Sequence, residues 1–178
     1  MKFTETKLKG AFIVEMEKRE DPRGFFGRAF CKKEFEALGL NGNILQANAS
    51  GNPAKGTLRG MHFQNKPFEE VKMIRCTRGA VYDVIIDLRK DSPTHKQWIG
   101  VELSVENAKL LYIPEGFAHG YLTLKDDSDV FYLVTQYYAP GSDSGVRYND
   151  PAFKIEWPKD VPIKLMTDKD RNWPDYKI

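Results

Sequence analysis

The chain has 178 residues, 41% hydrophobic and 12% aromatic, with 27 basic against 25 acidic side chains. That length fits one domain over residues 1–178, and that apolar content supports a packed core rather than disorder. A net charge of +2 gives no clustered basic face for nucleic acid, no run of about 18 apolar residues crosses a membrane, and MKFTETKLKGAF lacks the apolar stretch of a secretion signal, so the expected location is the cytoplasm.

In chain order, GAFIVEME and GFFGRAF read as strands separated by the turn DPRG. CKKEFEALGL, residues 31–40, reads as the one helix: Phe35 and Leu38 lie three apart and Gly39 stops it. QANAS alternates, so Gln46, Asn48 and Ser50 share one strand face. VKMIRCT, AVYDVIIDL, KQWIGVEL, AKLLYIP, GYLTL and DVFYLVTQYY follow as β-rich runs, broken by TRG, DSPT, PEG, KDDSD and PGSDSG. Many strands at this spacing predict a sandwich or barrel. AVYDVIIDL is apolar on both faces, which suits a strand between two covered layers. The tail from Asn149 onward, charged and broken by prolines, is expected to pack as loops and short turns over one end of the sheet. Cys31 and Cys76 are read as buried reduced thiols.

The stretch GTLRGMHFQ poses the functional question. In a regular strand Arg59 and His62 face opposite sides, so both serve one pocket only if the chain bends, which Gly56 and Gly60 permit. An imidazole in a concave apolar mouth is a proton acceptor; taken alone, His62 reads more readily as a hydrogen-bonded core histidine. Lys72 lies in a β-rich run, where a buried ammonium needs a partner. Arg23, Arg59 and Lys72 near one mouth suit a diphosphate, and no Walker or dinucleotide fingerprint is present. A tyrosine opposite a histidine supplies a proton donor of pKa about 10. PEGFAH, with Pro114, Gly116 and His119, resembles the second cupin motif. The first cupin motif is broken, because Gln64 stands where a second histidine ligand belongs. With three histidines in the chain, the expectation is no bound metal, although Glu69 or Glu70 leaves a metal-dependent cupin as an alternative.

Taken in this order, DPRGFF, QANAS, GTLRGMHFQ, Lys72, DLRKDSPT, IPEGFAHGYLTL, YLVTQYYAP, NDPAFKIEWP and DKD resemble the dTDP-4-dehydrorhamnose 3,5-epimerase family. These are cofactor-free cupins acting on nucleotide-linked 4-keto sugars. The resemblance implies a mainly β, cupin-type jelly roll and an isomerase that inverts C3, C5 or both of a 4-keto-6-deoxyhexose. It implies His62 as general base, Asp170 as the carboxylate orienting it, Tyr132 as the acid on the opposite face and Lys72 beside the keto oxygen. Arg23 and Arg59 match substrate- and diphosphate-binding arginines, Gln46, Asn48 and Tyr138 match nucleotide contacts, and His119 matches a second pocket histidine. Arg28 stands where many members carry a glutamate near the nucleoside, so a CDP-linked sugar is an alternative to a dTDP-linked one. Family membership further implies a homodimer with N-terminal strands crossing between subunits, and no cofactor. His95 stands where an aromatic is usual and is expected at the surface. A cupin that binds a sugar nucleotide without catalysis is the remaining alternative.

Overall fold

A computed structural model describes residues 1–177. The first strands are β1 (Lys2–Glu5), β2 (Phe12–Glu15), β3 (Arg19–Asp21) and β4 (Gly24–Phe26), followed by helix α1 (Lys32–Glu36). Then come β5 (Gln46–Asn52), β6 (Leu58–Gln64), β7 (Lys72–Arg78), β8 (Ala80–Asp87) and β9 (Trp98–Ser104). β10 (Leu110–Ile113), β11 (Phe117–Thr123), β12 (Ser128–Val134), β13 (Asp143–Gly145) and helix α2 (Asp168–Arg171) complete the order. Two antiparallel sheets form the cupin-type sandwich: β1-β2-β10-β7-β12-β5 and β13-β6-β11-β8-β9. β3 and β4 pair as a separate hairpin.

The core lies between the sheets. Ile74, Cys76, Leu111, Ile113 and Val130 from the first sheet meet Val81, Ile85, Leu103, Phe117 and Tyr121 from the second. β8 shows why its sequence is apolar throughout. Val81 and Ile85 join this inner core, while Val84 and Ile86 join an outer cluster with Phe153 and, partly buried, Trp157 and Tyr176 of the tail. Val161 packs likewise on Leu58 and Leu122. The tail therefore covers the outer face of the five-stranded sheet, where loops over one end were expected. Its aromatics are spaced irregularly, so no period in the sequence reveals which surface they cover.

Two further elements differ from expectation. The helix occupies Lys32–Glu36 rather than 31–40, and Gly39, at φ +71°, closes it as the amides of Gly39 and Leu40 return to the carbonyls of Glu36 and Phe35. Phe35 is fully buried against Phe3, Phe30 and Tyr112, whereas Leu38 is exposed. PGSDSG holds more than a turn: its last three residues form β13 on the edge of β6. Cys76 is buried, Cys31 only half-buried, and both thiols are free. No helix among the described residues is long and apolar enough to cross a membrane.

Candidate active site

A cavity of about 450 Å³ opens between the two sheets. The six-stranded sheet supplies Gln46, Asn48 and Ser50 from β5, Lys72 from β7 and Tyr132 from β12. The five-stranded sheet supplies Arg59, His62 and Gln64 from β6 and His119 and Tyr121 from β11. The tail adds Asp170 from α2 and Trp173 just beyond it. The β5 face follows the alternation of QANAS: Gln46, Asn48 and Ser50 are half-buried while Ala47, Ala49 and Gly51 are exposed.

Arg59 and His62 reach one cavity through a β-bulge. His62 lies opposite His119, and Arg59 opposite Tyr121, so Gly60 and Met61 together oppose the single residue Gly120. The extra residue resets the alternation, sending Met61 to the outer cluster and both polar neighbours inward. Gly60 sits at φ +134°, and a Cβ there would lie 2.5 Å from the Gly120 Cα, so a side chain has neither the conformation nor the room. Gly56 does different work: its carbonyl accepts the amides of Lys164 and Leu165 from the tail.

The site contains two histidine–aspartate pairs. His62 Nε2 lies 2.6 Å from Asp170 Oδ1, and Asp170 Oδ2 accepts the Gly60 amide at 3.2 Å. Burial pushes the Asp170 carboxyl up, but the hydrogen bond and charge of His62, with the Gly60 amide and Thr167, outweigh it and hold the group below its ordinary value. An ionised Asp170 can only accept, so Nε2 carries the proton of this bond and Nδ1 carries the lone pair of the neutral tautomer. His119 Nε2 lies 2.9 Å from Asp83 Oδ2 on β8. There burial dominates over His119 and Lys72 and raises the Asp83 carboxyl, whose Oδ1 is buried without a partner among the described residues.

The other charges are paired. Lys72 Nζ is 3.2 Å from Glu70 Oε1 and 3.5 Å from the His62 carbonyl, both carboxylate and ammonium being largely buried. Arg59 Nε donates to Asn52 Oδ1 at 2.7 Å, and Asn52 also donates to Ser128 O. Burial, with Glu70 and Tyr121 nearby, raises the Tyr132 phenol and keeps it protonated. Gln46 Oε1 accepts the Tyr138 amide, setting the exposed Tyr138 ring at the cavity mouth, where its hydroxyl approaches Asp143.

Of the residues singled out from sequence, Gln46, Asn48, Arg59, His62, Lys72, His119, Tyr132, Tyr138 and Asp170 converge here. Arg23 and Arg28 do not. Arg23 projects at the β3–β4 turn, 90% exposed and paired with Asp21; Arg28 pairs with Glu34 beside a smaller cleft. His95 is half-buried rather than on the open surface, 3.0 Å from the Tyr176 hydroxyl. Gln64 is committed to loops: its Oε1 accepts from Ala139 N and Ser142 Oγ, and its Nε2 donates to Phe68 O at 2.9 Å. No three His, Cys, Asp or Glu side chains converge for a metal among the described residues. Sequence reasoning missed Asn52, Glu70 as the partner of Lys72, Tyr121 and Trp173. Asn52 was reachable, since it continues the Gln46–Asn48–Ser50 face by one more step.

Comparison with known proteins gives one consistent result. The family model described as dTDP-4-dehydrorhamnose 3,5-epimerase matches residues 5–177. A protein of that name from Methanothermobacter thermautotrophicus is 44% identical over 174 residues, covering 97% of this chain and 92% of the relative. The crystal structure of the Bacillus anthracis dTDP-4-dehydrorhamnose 3,5-epimerase, with TDP and PPi bound, superposes with a TM-score of 0.93 at 45% identity, over 98% of this chain and 99% of that one. A Legionella pneumophila epimerase in complex with dTDP-4-keto-L-rhamnose superposes with a TM-score of 0.89 at 35% identity, over 99% of both chains.

Proposed function

The chain belongs to the dTDP-4-dehydrorhamnose 3,5-epimerase family, and from that premise we propose that His62 and Tyr132 exchange the protons that invert its sugar substrate. The protein is an isomerase that epimerises a nucleotide-linked 4-keto-6-deoxyhexose. We assign it the conversion of dTDP-4-dehydro-6-deoxy-D-glucose to dTDP-4-dehydro-L-rhamnose, with residues 1–178 acting as one cytoplasmic catalytic domain.

The C4 ketone acidifies the C–H bonds at C3 and C5. His62 Nδ1 removes such a proton, and the electron pair moves onto the C4 oxygen as an enolate. Lys72 meets that negative charge as it develops, where stabilisation lowers the barrier most. Tyr132 then returns a proton to the opposite face, and the configuration inverts. Asp170 fixes the His62 tautomer and balances the imidazolium formed in the step. One observation carries the reading: His62 and Tyr132 line the same cavity from facing sheets, β6 and β12. Arg59, Gln46, Asn48 and Tyr138 are assigned to the nucleotide diphosphate. His119 lines the floor.

Arg23 and Arg28 point to a homodimer. The β3–β4 hairpin carries Arg23 with Phe25 at 56% and Phe26 at 72% exposure, outside this chain's own cavity. We assign that hairpin to a second copy's cavity, where Arg23 and Arg28 meet the nucleotide.

The test is turnover of dTDP- and CDP-4-keto-6-deoxyglucose in D2O. Deuterium is expected at both C3 and C5 of the dTDP sugar. Label at one carbon reduces the activity to a single epimerisation, and faster turnover of the CDP sugar reassigns the nucleotide. With Tyr132→Phe, exchange at C5 is expected to outlast inversion; equal loss of both removes Tyr132 from the second proton transfer.

A further inference from the structure

Trp173 has no part in the steps above, yet it is the nearest aromatic neighbour of the base. Its indole stands edge-on to the His62 imidazole, with centroids 6.2 Å apart and planes at 70°. β13 makes room for it. Gly145, the residue paired with His62, would carry a Cβ 2.5 Å from Trp173 Cε2 and 2.6 Å from its Nε1. The Lys169 ammonium lies 5.3 Å from the indole centroid. Among the described residues the Nε1–H is buried without an acceptor, a cost that a phenyl ring would not carry.

The geometry of the base gives this ring a purpose. Among the described residues the His62 imidazole makes one hydrogen bond, from Nε2 to Asp170, and the side chain is 41% exposed. One bond leaves the imidazole plane free to pivot about the line joining the ring to the carboxylate. An edge-on aromatic wall restricts that pivot. We propose that Trp173 is a positioning residue, which fixes the imidazole plane so that Nδ1 points at the acidic C–H bond. The proposal rests on the reading of His62 as the base.

The test compares Trp173→Ala, Trp173→Phe and His62→Ala by proton exchange into the keto sugar. Imidazole ¹⁵N spectra of the unliganded enzymes give the second readout, with the His62 signals assigned by their loss in His62→Ala. Trp173→Ala is expected to lower kcat about 10- to 100-fold, the scale of a misaligned reacting group, with KM within about threefold. Trp173→Phe, which keeps a flat wall, is expected to stay within about fivefold of wild type. In the spectra all three enzymes keep one bare and one protonated His62 nitrogen, because Asp170 still fixes the tautomer, while the His62 signals of Trp173→Ala alone broaden as its ring plane moves. Unchanged kcat with His62 signals as sharp as wild type in Trp173→Ala overturns the proposal, as does a loss confined to KM. Should Trp173→Ala not fold, Trp173→Leu, of similar packing bulk, takes its place with the same outcomes. Residual exchange by His62→Ala near the wild-type rate instead sinks the base assignment itself; an inactive His62→Ala beside an unimpaired Trp173→Ala sinks this inference alone.

Discussion

His62 and His119 face each other across adjacent strands, and each has its Nε2 on an aspartate. The His62 side chain is 41% exposed, against 10% for His119. Asp170 accepts from two donors and is held low; Asp83 keeps one oxygen unpartnered and is pushed up by burial. The same two residue types thus make a solvent-reachable imidazole in one pair and a buried, costly polar joint in the other. Surroundings, not identity, divide the labour.

The widest separation between the pairs comes from deleting each imidazole. His62→Ala is expected to lower proton exchange at least about 10³-fold, the range for a lost general base, and to lower the urea midpoint less than His119→Ala does, because Asp170 keeps the Gly60 amide. His119→Ala is expected to cost about 2–4 kcal/mol of stability, because it leaves Asp83 buried with no partner; equal urea midpoints for the two variants would erase the contrast. Asp170→Asn comes next, with kcat down about 10²-fold through the wrong His62 tautomer, read in the same exchange assay.

The smallest effects lie in the pH dependence, and the two aspartates have opposite signs. Asp170 is lowered on folding, so it adds stability above the unfolded-state value of about 4, lost as pH falls through its folded value. Asp83 is raised, so its contribution is full below that value and lost as pH rises through its folded value. Asp83→Asn is therefore expected to flatten the fall in stability on the alkaline side, and Asp170→Asn to flatten the acid side. Urea midpoints from pH 3 to 8 check both; the same change in both variants would contradict these assignments. Asp87 adds to the acid side. It is held at about 2 by Arg89, Ser92 and Thr94 against the cost of its burial.

Much of this site was legible because it is local. The alternation in QANAS and the glycine beside GMH each belong to one strand, where a two-residue period and a φ-permissive residue speak directly. The spacing of turns left a sandwich or a barrel, and the family likeness supplied the cupin type. Asp170 is 108 residues from His62, and nothing in its own neighbourhood marks it beyond a family likeness. Trp173 had no signal, since an aromatic in a proline-broken tail carries no period. The tail's real position depends on the outer face of β8, which the sequence shows as apolar without naming its cover.

That tail binds two events together. The strands of both sheets end at Gly145, before the ribosome has delivered Asp170. A nascent chain can pair every strand and still hold a histidine with no carboxylate behind it. Loss of the last dozen residues by a protease would strip the same partner while sparing the strands. The proposed site is thus the last part of the molecule to be completed, after its architecture is already drawn.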